Sequence, residues 1–533
     1  EYYDDDKQKT IKNDFTGSLD GQGYSIYGLY SSGQDAGLFR FASNVEIENI
    51  DFTSVEFVFG NYNVGIISQS GDCYFDNVSV NGEILNSGNG ENAGFFIGRT
   101  YNESINVTIK NSSCDGVIGK KTSDVNKFIN AGGFIGRTDG NITYIKDSDI
   151  NIDISGGECG GIVGYSESTV NIKNCDVTGT IKPDIVSGGI VGRLYGGGDS
   201  LIQDCTFDGT FTEVNNYCGG ISGYYGNAIV KDCEVDFIVE NNNDSVYGVG
   251  YYFSVKDTDI RMDVNSNNGS CSGISYYTYI EKENLHPYIE NCNVDITSSG
   301  KGGHIYGLSA YKKSIRDCHV NFNMKDPFQQ IHMLGWYPSG ESGNNNKGME
   351  RCSASGNLKA TSFITPLEGD YEDHLKDCYY NCDIEGFADE NNPDGPTLNL
   401  FMTSFYGNSD NFYFVSDLSG TFRDVRFTSS GSEPNDSIYY NGEIIVEDTD
   451  NFTGLTTDEM TGESAKQNMD KLDFKTTWAT TGSYPILSNQ AQYLAVDDVF
   501  IDGQNAVVAG GEYSGEQIDD LFVNGYPSIL EIN

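Results

Sequence analysis

Proline and tryptophan are scarce in this chain, 10 and 2 among 533 residues, and histidine numbers only 5. With so little proline beside 65 glycines, turns fall to Gly, Asn and Asp, which suits many short strands better than helical bundles. The histidines, His286, His304, His319, His332 and His374, show no HExxH pattern and no pair at metal-ligand spacing, so each reads as structural. Basic residues are also few, Lys and Arg totalling 32 against 78 Asp and Glu, for a formal net charge of −46. That balance repels nucleic acid and anionic lipid, and no nucleic-acid partner is expected. No apolar run approaches the ~20 residues a membrane-crossing helix needs. The opening EYYDDDKQKT lacks the charged-then-apolar order of a signal peptide, so the chain reads as a processed or excised ectodomain.

What the chain does have is a repeat. Gly160 to Val177 reads GGIVGYSESTVNIKNCDV, a small-residue cluster around aliphatics followed by an alternating segment. The cluster recurs as AGLFRF at Ala36, VGIIS at Val64, AGFFIG at Ala93, AGGFIG at Ala131, GGIVG again at Gly188 and GGISG at Gly219. Later copies drift to VYGVGYY at Val246, CSGISYY at Cys271, IYGLSAY at Ile305 and HMLGWY at His332. A two-strand unit this short cannot bury its own apolar face, but stacked copies share one core. The expected fold is therefore all-β: a single-stranded right-handed parallel β-helix of about 12–14 coils, neighbouring coils ~4.8 Å apart. The glycines are expected where a strand bends or another backbone approaches closely.

The alternating segment ends in an Asn or Asp followed by a small or apolar residue. Stacking would align Asn49, Asn77, Asn111, Asp147, Asn174, Asp204, Asp232, Asp257, Asn291, Asp317, Asp377 and Asp424 in one column, which Arg351 breaks. Asn can pair amide to amide between coils, whereas neighbouring Asp would repel if buried, so the Asp members are expected at an exposed turn. The next position holds Cys175, Cys205, Cys233, Cys292, Cys318, Cys352 and Cys378, alternating with Ile50, Val78, Ser112, Ser148 and Thr258. Interchange with small residues points to packed free thiols, with disulfides or a metal as the lesser readings. Cys378 and Cys382 have no second ligand pair nearby.

Tyr224-Tyr225, Tyr251-Tyr252, Tyr276-Tyr277 and Trp336-Tyr337 follow the glycine clusters, as a core or rim ladder in the first reading and a sugar-stacking stripe in the second. N-glycosylation sequons stand at Asn77, Asn102, Asn106, Asn111, Asn141, Asn243, Asn268, Asn435 and Asn451. A capping box at Thr456 and Glu459 opens a helix with Met460, Ala465 and Met469 on one face, read as a C-terminal cap that shields the last coil's open edge. The division is a polar tail over 1–14, coils over 15–440, the cap over 441–491 and a small β segment over 492–533. Acid pairs in that segment, Asp497-Asp498 and Asp519-Asp520, are weak calcium candidates; calcium apart, no cofactor is expected.

The GGIVG, GGISG and AGGFIG clusters, the opening FTGSLDGQGYSIYGL and the close from Thr456 to Leu487 resemble the GLUG-motif repeats of adhesin-like bacterial and archaeal surface proteins, found also near some immunoglobulin A peptidases. The resemblance covers about residues 15 to 490. It implies an extracellular or cell-surface protein, structural or adhesive, as in a surface layer, sheath or filament. Its partners would be copies of itself, other surface proteins or a host or environmental glycan. The peptidase zinc motif is absent, so that activity does not carry over and no enzyme is expected. The alternative is a polysaccharide lyase or glycoside hydrolase working in a β-helix groove.

Overall fold

The computed structural model describes residues 15–488, apart from 60–61, 87–89, 101–104, 121–127, 196–199, 225, 227, 268, 278–288, 312–313, 337–347, 369–373, 390, 403–407, 411, 429–437, 442–451 and 481. It adds short strand pieces at Tyr2–Asp4, Lys9–Ile11, Phe522–Val523 and Tyr526–Pro527. The chain forms two compact units, residues 1–305 and 306–533. Each is a parallel β-helix.

In the first unit every coil lies in parallel register on the next. Ile47, Phe75, Ile109, Ile145, Ile172, Ile202, Val230, Val255 and Ile289 align in one inward column. Ile150, Val177, Phe207, Val235, Ile260 and Val294 align in another. All are buried, and full burial of each such side chain is worth roughly 1.5–3 kcal/mol. The alternation legible in the sequence is thus the in/out alternation of stacked strands.

Each coil carries more strand than the two segments expected. The coil of the opening repeat runs as strand from Thr169 to Gly188 and again from Val191 to Leu194, so Thr178–Val186 makes a further side that the motif does not announce. Between those runs the glycine bend stays in the ladder, Ile162 N–H donating to Ile190 O at 2.9 Å. Gly161 is required there by close approach, since a Cβ would lie 2.2 Å from Gly189 O and 2.3 Å from Val177 Cγ1.

The second unit repeats the plan, with Val320, Ala354, Tyr380, Phe414 and Tyr440 in register. Its closing segment contains helices Thr457–Met460 and Ser464–Asn468 and an antiparallel pair, Trp478–Ala479 with Ile486–Leu487. The capping box forms: Thr456 N–H donates to Glu459 Oε2 at 2.8 Å and Glu459 N–H to Thr456 Oγ1 at 3.4 Å. Met460, Ala465, Met469, Leu472, Trp478 and Leu487 pack on Tyr379, Tyr413 and Val415. The closing segment therefore seats on the side chains of Tyr379, Tyr413 and Val415. Tyr379 and Tyr413 are the cause: they alternate with the inward Tyr380 and Phe414, stack 4.9 Å apart and need a cover. Among the described residues no helix is long and apolar enough to cross a membrane.

Candidate functional site

The Asn/Asp column is the corner of each coil, and its backbone explains its composition. In the first unit Asn49, Asn77, Asn111, Asp147, Asn174, Asp204, Asp232, Asp257 and Asn291 all have φ between 49° and 55°, as do Asp317, Arg351 and Asp377 in the second. This left-handed conformation costs most L-residues roughly 1–2 kcal/mol, and Asn and Asp visit it more readily because their short polar side chains bond locally. Asp424 has no described side chain. Side chains then link coil to coil: Asn49 Nδ2 donates to Asp20 Oδ1 at 3.2 Å, Asn77 Nδ2 to Asn49 Oδ1 at 3.0 Å, Asn174 Nδ2 to Asp147 Oδ1 at 2.9 Å and Asn291 Nδ2 to Asp257 Oδ1 at 2.7 Å. Of these, only the Asn77–Asn49 bond is amide to amide; Asn111 leaves the column, donating to Asp76 Oδ1 at 2.8 Å. Of the Asp members, Asp147, Asp204 and Asp232 are exposed and sit beside lysines, with Lys146–Asp147 and Lys173–Asp204 at 3.4 Å and Lys231–Asp232 at 3.0 Å, but Asp257 and Asp317 are half-buried and Asp377 is buried, against the expectation of exposed turns.

The position after the corner faces inward, and its side chain has a job beyond packing. Cys175 Sγ donates to Lys173 O at 3.3 Å, Cys205 to Gln203 O at 3.1 Å, Cys233 to Lys231 O and Cys292 to Glu290 O at 3.2 Å, and Cys318 to Arg316 O at 3.0 Å. Ser112, Ser148 and Thr258 make the same bond to the carbonyl two residues back, at 2.7, 2.8 and 2.9 Å. The two serine oxygens also accept from the coil before, Val78 N–H reaching Ser112 Oγ and Ser112 N–H reaching Ser148 Oγ, each at 3.2 Å. This is why Cys, Ser and Thr interchange: each spans the backbone groups that the corner leaves over. All thirteen cysteines are buried and free. Burial pushes the Cys73 and Cys271 thiols up to about 12.

A ridge of tyrosines flanks the glycine bend in the first unit. Tyr217 stacks on Tyr224 at 4.8 Å, Tyr224 meets Tyr251 at 5.1 Å, and Tyr251 stacks on Tyr276 at 5.1 Å. Tyr247 is buried beneath them, whereas Tyr217, Tyr224, Tyr251, Tyr252 and Tyr276 are half-buried. Tyr251 also meets Tyr247 and Tyr252 edge to face, at 5.7 and 4.7 Å, so the rings pack chiefly on one another. Two arginines continue the ridge, Arg193 over Tyr224 at 5.3 Å and Arg137 over Tyr165 at 4.6 Å. Tyr225 and Tyr337 lie outside the described residues, as do the side chains of Tyr277 and Trp336.

Asn77 and Asn111 are exposed, but their amide nitrogens are engaged in the corner column; Asn243 Nδ2 is bonded to Asn215 Oδ1 at 3.1 Å. Asn106 and Asn141 are exposed. Asn102, Asn268, Asn435 and Asn451 lie outside the described residues, as do Asp497, Asp498, Asp519 and Asp520. Among the described residues no group of three or more His, Cys, Asp or Glu is placed to hold a metal ion. One contact was invisible from the motifs: His319 sits between Ser353 Oγ, 2.7 Å from Nδ1, and Ser355 Oγ, 3.1 Å from Nε2. The coil spacing alone carries the signal, because it stacks His319 on Ser353, and the ring acts as a polar clamp between coils. No protein-family model matches the chain, and no curated protein matches its sequence significantly.

Proposed function

We propose that this chain is an extracellular, cell-surface structural or adhesive protein, the reading its GLUG-like repeats imply, and that the tyrosine ridge makes its specific contacts. The ridge is the observation that carries this. Half-buried Tyr217, Tyr224, Tyr251 and Tyr276 sit on a stiff stack beside Arg193, and Tyr and Arg are the residues that dominate binding energy when pre-ordered on rigid elements. A surface so acidic elsewhere stays soluble while one strip of tyrosine and arginine adheres.

The test has two parts. Antibody labelling of intact source cells should decorate the surface, and label confined to the cell interior would end the surface reading. Immobilised full chain is then presented to a glycan array, to host matrix proteins and to itself. Binding should fall at least tenfold in Tyr224→Ser/Tyr251→Ser with the fold retained by circular dichroism; unchanged binding would remove the ridge from the proposal. Release of oligosaccharides during the array assay would favour the polysaccharide-cleaving alternative.

A further inference from the structure

A second ladder runs inside the first unit, just before the glycine bend. Asn63, Asn92, Asn130 and Glu158 occupy one register column. All are buried. Asn92 Nδ2 donates to Asn63 Oδ1 and Asn130 Nδ2 to Asn92 Oδ1, both at 2.7 Å. At the near end Asn63 N–H donates to Asp35 Oδ1 at 3.1 Å, and Asp35 is held by Arg40 at 3.0 Å. The amides thus all point one way, donor toward the previous coil and acceptor toward the next.

The far end is incomplete. Asn130 Oδ1 is buried with no hydrogen-bond partner, and the residue stacked next in register is Glu158. A buried amide oxygen left unpaired costs about 1–3 kcal/mol. An ionised carboxylate cannot relieve it, since it is an acceptor only; a protonated one carries the O–H that would. Glu158 has a competing partner, Arg193 Nη1 at 2.9 Å from Oε1. The other charged or titratable groups that act on it are Arg137 and Tyr165, and Arg137 is itself committed to Asp139 at 2.6 Å and Glu167 at 3.0 Å.

We propose that Glu158 is a proton-operated link between coils: with a proton its O–H donates to Asn130 Oδ1 and completes the amide ladder, and without it the carboxylate releases Asn130 and holds Arg193. Taking up one proton from solvent moves no other atom out of balance. It frees the Arg193 guanidinium over Tyr224, adding one positive charge to the ridge. Burial raises the Glu158 carboxyl above its ordinary range, against the opposing pull of Arg193 and Arg137, so the exchange falls at milder acidity than for a solvated glutamate. The sign follows: a carboxyl raised on folding contributes stability fully below its unfolded value and loses it as pH rises through the folded one.

The test compares the full chain with Glu158→Gln, whose amide can donate to Asn130 Oδ1 at any pH. Glu158→Gln should melt above wild type at neutral pH, with the gap closing as pH falls toward the unfolded value, and the gap should vanish when both chains also carry Asn130→Ala. A Gln variant less stable than wild type at neutral pH, or a gap indifferent to Asn130→Ala, overturns the proposal and leaves Glu158 as a partner of Arg193 alone. A second measurement needs no variant. Hydrogen exchange of the wild-type chain, corrected for intrinsic rates, should show protection in segments 128–138 and 156–166 rising as pH falls from neutral. Flat or falling protection there also overturns it.

Discussion

Arg351 stands in the left-handed region, φ 51°, at the corner where the other coils carry Asn or Asp, and grips Asp317 of the preceding coil with Nε–Oδ1 at 2.6 Å and Nη2–Oδ2 at 2.7 Å. The sequence shows this residue as a break in the column, but chemically it continues the column. Like Asn174 reaching Asp147, it donates from one corner to the acid of the corner before, through a longer and bidentate arm.

Arg351→Ala should therefore destabilise the second unit by about 1–3 kcal/mol, the usual worth of hydrogen bonds to a charged group. Arg351→Asn should recover part of that loss, because Asn both tolerates the left-handed corner and offers an amide to Asp317. Urea midpoints of the three chains check the order. An Ala variant as stable as the parent chain would mean the pair contributes nothing.

The inward slot after each corner gives a second ordering. Cys205→Ser keeps the donor to Gln203 O and should change stability by less than about 1 kcal/mol, whereas Cys205→Ala loses both the bond and buried volume and should cost about 1–3 kcal/mol. The thiols themselves should resist alkylation at pH 8 in the folded chain and react fully once unfolded, since all are buried and Cys73 and Cys271 stay protonated far above that pH. Rapid labelling of the native chain would contradict the slot geometry.

One corner acid, Asp147, gives the opposite pH response to Glu158. Asp147 is held below the usual carboxylate range, first by the Asn174 amide and then by Lys146 and Lys173. Its stabilising contribution is present above the unfolded value and is lost as pH falls through the folded one. Asp147→Asn should thus flatten the acid limb of the stability–pH curve. A variant whose acid limb matches wild type would show that the hydrogen bond from Asn174 does not discriminate between the two protonation states.

The stacked fold was legible because it rests on recurrence: the aliphatics of IKNC and IQDC fall in register at Ile172 and Ile202, and one motif length fixes the rest. The corner was legible as a column, but its cause was not, because a φ of 51° at Asn174 leaves no trace beyond the choice of Asn. Contacts made across coils were hidden for a different reason. Asn130 meets Glu158, and His319 meets Ser353, only through register, and variable loops blur that register along the chain. The side chains on which the closing segment seats were not legible, because Tyr379 and Tyr380 look alike in sequence, yet one faces in and the other out.

The glycine bend supplies the sharpest contrast between positions that read alike. At Gly161 a new Cβ would lie 2.2 Å from Gly189 O and 2.3 Å from Val177 Cγ1, backbone and core of its surroundings that cannot both retreat. At Gly119 the nearest atom would be Ser155 Cβ at 3.5 Å, an ordinary contact. Overpacking of a tight core costs typically 1–3 kcal/mol and sometimes more, whereas removing glycine from a strand where Ala fits gains about 0.5–1 kcal/mol. Gly161→Ala should accordingly lower the melting temperature and raise the fraction lost to aggregation, while Gly119→Ala should leave it equal or higher. Equal melting of the two variants would mean the bend can open enough to relieve both contacts, and that glycine is there for chain freedom and not for the approach of the next coil.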